Sequence, residues 1–370
     1  MKIGIDIRST LKRRRTGVGQ YTYNLIKNLA FIDNSNQYFL YAKKRLFSQD
    51  KKLPNIKVKN FQFKIDRFNK GLNRILGRVD IFHTPSQDLL DIAGVKIIVT
   101  VHDLIFKTYP QGHCENTIKN AESQLLNVIS RADKIICYSQ STISDLKNYY
   151  NVDDNKIKLI YPGVDKEVFY PMQSWETKKT QKKLKKFGIN GKFILFTGTI
   201  EPRKNIGNLI LAFDNLKKQY HFPHKLVIIG MKGWLYEKIF SLYKQSEFKA
   251  DIIFLDYQPN NTLRDFYNLA DVFVYPSFYE GFGFPILEAF SCGTAVVTSN
   301  VSSCKEVAEG AALLVNPDNI DEITEAISKI IKDKELKNQL SNAGLEQSLM
   351  FSWQSTARET LEAYEEVLNQ

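Results

Sequence analysis

"DVFVYPSFYEGFGFPILEAFSCG", residues 271–293, reads as three consecutive pieces. "VFVY" is an unbroken apolar, β-rich run, as expected of a strand covered on both faces rather than one. Pro285 is favoured in the first turn of a helix and Gly293 stops one, so "PILEAFSC" follows as a short helix. Between strand and helix lies a turn of Gly and Phe, with Glu280 in the loop and Glu288 in the first turns of the helix. Strand, loop and helix in this order make one repeat of a doubly wound α/β sheet. In such sheets ligands bind outside the carboxyl ends of the strands, which is where both carboxylates fall. An isolated Glu pair would simply face water; the surroundings argue otherwise here.

The same rhythm runs through the chain. "KIGIDI", "YFLYA", "DIFHT", "KIIVTV", "KIICYS" and "IKLIYPG" are strand-like in the first half; "FILFTGT", "KLVIIG", "IIFLDY", "VFVYPS", "AVVTSN" and "ALLVNP" follow in the second. Helical patterns separate them, so each half is expected to be a Rossmann-like α/β domain. A length of 370 residues agrees with two domains at about 150 residues each. The expected divisions are a first domain over 1–168, a polar lysine-rich linker over 169–190, a second domain over 191–352 and a terminal helix over 353–370.

Composition is that of a soluble globular protein, 43% hydrophobic and 25% charged, without a low-complexity tract. No apolar run approaches the ~18 residues of a membrane span, and the first residues read as a strand rather than a signal segment. Cys114, Cys137, Cys292 and Cys304 form no C-x-x-C pair, and reduced, mostly buried thiols of a cytoplasmic protein are expected. His221 and His224 in "HFPH" read as a loop rather than a metal site.

The net charge of +11 suits an anionic partner: nucleic acid, a membrane surface or a phosphorylated substrate. "LKRRR" (11–15), "KKR" (43–45) and "KKTQKKLKK" (178–186) carry much of it. A solvated face plus a charged linker is the competing reading. Nucleic acid is not expected, because no binding module and no interleaved stacking aromatics accompany the clusters.

The remaining motifs fall at strand ends. "TGVG" (16–19) opens a helix after the first strand, where Gly17 and Gly19 permit close backbone approach and a helix N-terminus attracts phosphate. "GTIEPRKN" (198–205) holds the equivalent place in the second half, setting Arg203 and Lys204 where an anion would sit, with Asn205 expected as the N-cap of the next helix. "VHD" (101–103) ends another strand and points His102 into the same region. Carboxylates beside backbone donors suit vicinal hydroxyls, and cations beside them suit a diphosphate. A sugar nucleotide offers both.

These residues resemble the retaining nucleotide-sugar glycosyltransferases of family 4. The motif E-x7-E, here "EGFGFPILE", carries the resemblance, supported by "GTIEPRKN", "VHDL", "TGVGQYT", "YPGV" and "FSWQSTARE" over nearly the whole chain. It implies the GT-B fold, two doubly wound Rossmann-like domains facing a central cleft, with the last helix crossing back to the first. It implies Glu280 and the backbone of Phe282, Gly283 and Phe284 on the donor hexose, with Glu288 on the ribose. Lys204 falls to the diphosphate, approached by Gly17 and Gly19, and His102 to the reacting sugar; Glu280 and His102 are the catalytic pair. The family usually has Arg after the glycine equivalent to Gly198; here Thr199 stands there, and Arg203 is expected to supply the guanidinium.

"VHDLIFKTYP" and "GTIEPRKN" look most like the mannosyltransferase branch of surface-polysaccharide assembly, so GDP-mannose is the favoured donor and a glycan or lipid-linked acceptor is expected. The chain has no Asp-x-Asp, so no metal and no other cofactor is expected; side-chain cations would neutralise the leaving group. The expected place is cytoplasmic, peripheral on the inner face of an anionic membrane. Competing readings are a UDP- or other nucleotide-hexose donor with a small soluble acceptor, a sugar phosphorylase, a nicotinamide oxidoreductase and a non-catalytic binder. The oxidoreductase is disfavoured because neither half carries G-x-G-x-x-G after its first strand.

Overall fold

The computed structural model describes residues 1–11, 17–43, 52–112 and 114–369. Lys12 to Arg15 of "LKRRR", and Lys44 and Arg45 of "KKR", lie outside the described residues. The chain divides into two units. The first comprises Met1–Lys107, Cys114–Gly163 and Ser352–Gln370; the second comprises Thr108–His113 and Val164–Phe351.

The first unit is built on seven parallel strands: β1 (Lys2–Asp6), β2 (Gln37–Lys43), β3 (Phe61–Asp66), β4 (Ile81–Thr84), β5 (Lys96–Val101), β6 (Lys134–Cys137) and β7 (Ile157–Leu159). Their order is β3-β2-β1-β4-β5-β6-β7. The second is built on six: β8 (Phe193–Thr197), β9 (Lys225–Ile229), β10 (Ile252–Leu255), β11 (Val272–Tyr275), β12 (Val296–Ser299) and β13 (Leu313–Val315), in the order β10-β9-β8-β11-β12-β13. The inner strands are buried along their length, as β8, β11 and β12 show, because helices cover both faces of a parallel sheet. β3 has no counterpart in the sequence reading. "FQFKID" is an edge strand, partly exposed and interrupted by polar residues, so it lacks the apolar run that marks the others.

In both sheets the chain winds outward one way from the first strand, then returns and winds the other way. The reversal lies between β1 and β4 in the first sheet and between β8 and β11 in the second. Loops leaving adjacent strands diverge there and open a crevice at the carboxyl ends.

The stretch read as a linker over 169–190 is largely a helix, Ser174–Lys185, within the second unit. Gln173 and Glu176 close a capping box, Thr180 and Leu184 are buried, and Lys183 reaches Asp265 at 2.6 Å. Lys, Gln and Leu are good helix formers, and two buried residues per three turns are enough to dock them. Polarity alone had suggested a linker.

The terminal helix Trp353–Asn369 belongs to the first unit and packs on the helix Gly17–Ile32. Tyr364 Oη meets His83 Nδ1 at 2.7 Å, and His83 Nε2 meets Thr100 Oγ1 at 2.9 Å, so the helix is pinned to β4 and β5. Burial holds His83 neutral, with its pKa lowered to about 3. A Cβ at Gly163 would lie 2.1 Å from the Trp353 nitrogen, so the chain leaving β7 passes this helix only as glycine. Gly163→Ala is therefore expected to destabilise the first unit by about 1–3 kcal/mol, the usual cost of overpacking. Thermal melting measures this; an unchanged midpoint would show that the terminal helix shifts without cost.

Candidate active site

The switch point of the second sheet gathers the motifs. Beyond β8 the chain runs on beside the end of β9, with Gly198 N donating to Ile229 O (2.9 Å) and Ile200 N to Met231 O (2.9 Å). Pro202–Lys204 then makes a single tight turn before the helix Ile206–Tyr220. Asn205 does not cap that helix through its side chain, contrary to expectation. It adopts a left-handed conformation (φ 56°), and its Nδ2 donates to the carbonyls of Pro276 (3.0 Å) and Pro317 (2.6 Å). Phe278 N also donates to Arg203 O at 2.9 Å. The loops leaving β8 and β11 are thus laced together across the switch point.

Charge sits between them. Arg203 Nη1 lies 2.7 Å from Glu280 Oε2, and Lys204 Nζ lies 2.7 Å from Glu280 Oε1. Lys204 Nζ also donates to Tyr275 Oη (2.6 Å), whose hydroxyl is 3.0 Å from Glu280 Oε1. Arg203 Nη2 reaches Glu201 Oε1 at 2.6 Å. Glu280 is only 7% exposed and is held by both cations. Its main chain is fixed as well: Glu280 N donates to Ser302 Oγ (3.1 Å) and Ser303 Oγ donates to Glu280 O (2.8 Å). A buried carboxylate is tolerable only with such pairing.

The electrostatics follow from this geometry. Burial would raise the Glu280 pKa, but Arg203 and Lys204 outweigh it and hold the carboxyl at about 2, so it is ionised at neutral pH. Burial and the neighbouring Arg203 push the Lys204 ammonium down while Glu280 supports it. Burial raises Glu201 against the pull of Arg203 and Lys204.

Glu288 stands differently. It lies on the helix Phe284–Ser291, partly buried, and accepts a hydrogen bond from Tyr267 Oη at 2.8 Å. Among the described residues no cation pairs with it, and burial lifts its pKa to about 7 despite that bond. Between the two carboxylates, Gly283 turns the chain at φ 102°, a region that favours glycine. Phe282 buries its ring edge-to-face against Phe284 (5.1 Å) and Phe351 (5.7 Å).

The other expected residues lie in the first unit. Gly17 opens the helix that follows β1, and a Cβ there would meet nothing within 4 Å. Gly19 is buried in the same first turn. His102 directly follows β5; its Nε2 faces the Pro85 carbonyl at 3.0 Å, and its ring lies edge-on to Tyr138 (4.5 Å) and Tyr21 (5.7 Å). Burial lowers its pKa, and since a carbonyl only accepts, the neutral ring carries its proton on Nε2. That leaves Nδ1 as an acceptor.

Glu201, Tyr275, Tyr267, Ser302 and Ser303 escaped the sequence reading. Tyr275 could have been found as the last residue of a buried strand ending at the switch point. Tyr267 could not, since it lies on a helix among ordinary core aromatics. Among the described residues no group of three or more His, Cys, Asp or Glu side chains could hold a metal ion, and no helix is long and apolar enough to cross a membrane.

Two families match the chain: Glycosyltransferase Family 4 over residues 15–168 and Glycosyl transferases group 1 over residues 177–347. The O-antigen chain mannosyltransferase B of Escherichia coli is 28% identical over 96% of this chain and 97% of its own. Among solved structures, sucrose-phosphate synthase of Thermosynechococcus elongatus superposes with a TM-score of 0.78 at 19% identity, covering 100% of this chain and 99% of the other. Anabaena HepE in complex with UDP and glucose superposes with a TM-score of 0.75 at 17% identity, covering 99% of each. At these identities the structures establish a shared fold.

The raised Glu288 pKa has a direct consequence. The folded protein binds this proton more tightly than the unfolded chain, so the stabilisation it brings is full below the ordinary carboxylate value of 4.5 and is lost as pH rises to about 7. Against Glu288→Gln, the wild type is expected to lose stability across that window and to stay at a constant difference above it. Denaturant titrations at a series of pH values measure this, and parallel profiles would show that Glu288 is not desolvated.

Proposed function

Because this chain belongs to the GT-B glycosyltransferases, with a family 4 domain followed by a group 1 domain, we propose that it moves a mannosyl group from GDP-mannose to a glycan or lipid-linked acceptor in surface-polysaccharide assembly. The transfer is proposed to retain anomeric configuration. Nucleotide-sugar-dependent hexosyl transfer is the activity of its family. One observation carries the reading of the site: Arg203 and Lys204 converge at the switch point of the second sheet on a carboxylate that stays ionised.

Two cations in a partly dry crevice favour a diphosphate, whose charge grows as the sugar leaves. Arg203 and Lys204 take over the diphosphate oxygens, and Glu280 then accepts from hexose hydroxyls instead. The leaving phosphate accepts the proton of the attacking hydroxyl, so no side-chain nucleophile is needed. Glu288, tied to Tyr267, receives the ribose hydroxyls. With two side-chain cations in place, a divalent metal is not required. The roles of Gly17, Gly19 and His102 rest on the family resemblance. Mannose is favoured by the near full-length mannosyltransferase relative; a UDP-hexose donor is the second reading, supported by a UDP-containing neighbour of the same fold.

Mass spectrometry of donor hydrolysis is expected to show GDP-mannose consumed in preference to UDP-hexoses, undiminished by EDTA. Loss of activity in chelator with rescue by magnesium or manganese would overturn the metal-independent site. Lys204→Met is expected to weaken GDP binding by roughly 10- to 150-fold, the ~1.5–3 kcal/mol of a charge-assisted contact, and guanosine binding little. Titration calorimetry separates the two, and equal loss for both ligands would make Lys204 structural.

A further inference from the structure

The helix Ser174–Lys185 carries none of the residues assigned above to the donor, and its outer face is specialised. At 3.6 residues per turn, Trp175, Lys178, Lys179, Lys182, Lys185 and the following Lys186 fall within about 120° of arc. All six are exposed, Trp175 to 76%. The opposite side carries the buried Thr180 and Leu184. The helix's other lysine, Lys183, is drawn away to Asp265, and its single acid, Glu176, accepts from Gln173 N at 3.1 Å. Among the described residues none of the five stripe lysines forms an ion pair.

This face is costly in water. Lys178 and Lys182 stand four residues apart, as do Lys182 and Lys186, spacings at which like charges repel. A large indole at the head of the stripe adds exposed apolar area. Both costs are relieved by one kind of surface. Anionic headgroups answer the lysines, and an indole settles at the boundary between headgroups and acyl chains. Single-stranded nucleic acid fits less well, because the stripe offers one aromatic at its end and none between its cations for successive bases to stack on.

We propose that the Trp175–Lys186 face is a membrane-docking surface for anionic lipid, with Trp175 seated in the interface and the lysines on headgroup phosphates. The inference stands on this helix and does not rest on the donor reading. It places a membrane contact on the second unit.

The test uses the full chain with phosphatidylcholine vesicles, with and without phosphatidylglycerol, read by co-sedimentation and tryptophan emission. Binding is expected only with phosphatidylglycerol and is expected to weaken as salt rises. The combined Lys178→Gln, Lys179→Gln and Lys182→Gln variant is expected to bind about 100-fold more weakly, as about 1 kcal/mol per lysine implies for three. The blue shift of emission on binding is expected to disappear in Trp175→Ala. Both variants are expected to melt like wild type, which separates lost docking from lost folding. Wild-type vesicle affinity in the lysine variant would overturn the proposal. So would an emission shift that survives Trp175→Ala, or equally tight, equally lysine-dependent binding to single-stranded DNA. GDP-mannose hydrolysis without vesicles judges the donor reading separately.

Discussion

The ion pairs that Arg203 and Lys204 make with Glu280, each 2.7 Å long, join two loops that leave adjacent strands and wind away in opposite directions. The sheet itself does not hold those loops together. The buried charges do, helped by Asn205 bridging to Pro276 and Pro317 and by Ser302 and Ser303 fixing the Glu280 main chain. Removing one member of such a cluster leaves the others buried and uncompensated, at a cost of about 3–5 kcal/mol. The same arrangement keeps two cations oriented before any ligand arrives. On the proposed reading, a diphosphate would take the place of the Glu280 carboxylate between two cations already oriented.

Glu280 and Glu288 show how environment divides one residue type into two behaviours. Eight positions apart in sequence, one is held at about 2 by paired cations and the other is lifted to about 7 by burial with only a tyrosine hydroxyl for support. A carboxylate clamped in its ionised form is a steady acceptor. One poised near neutrality becomes a better acceptor when hydroxyl donors arrive, because each hydrogen bond to the charged form favours that form. In the first unit, His83 and His102 are both kept neutral by burial, the first as a link to the terminal helix and the second beside the Pro85 carbonyl.

Much of this was legible in the residues. Continuous apolar runs announced parallel strands in twelve of the thirteen elements, since a strand covered on both faces has no polar alternation to blur it. β3 escaped because an edge strand is half wet. "GTIEPRKN" and "EGFGFPILE" were placed correctly at strand ends because topology, rather than side-chain detail, decides where crevices open in such sheets. The lysine-rich segment over 169–190 forms a docked helix because helix propensity and two buried residues outweigh its polarity.

What the sequence by itself determined, then, is the doubly wound architecture, the strand-end positions of the motifs and the surplus of positive charge, all properties of local pattern and composition. Only the tertiary structure decided that Glu280 is paired rather than waiting, that Tyr275 and Tyr267 complete the two carboxylate environments, and that Asn205 bridges loops instead of capping a helix. Each of these depends on groups 21 to 112 residues apart being brought within hydrogen-bond distance, or on Tyr275 meeting Glu280 across a turn whose path the sequence left open. Charge pairing and burial are set by such encounters, and no periodicity along the chain records them.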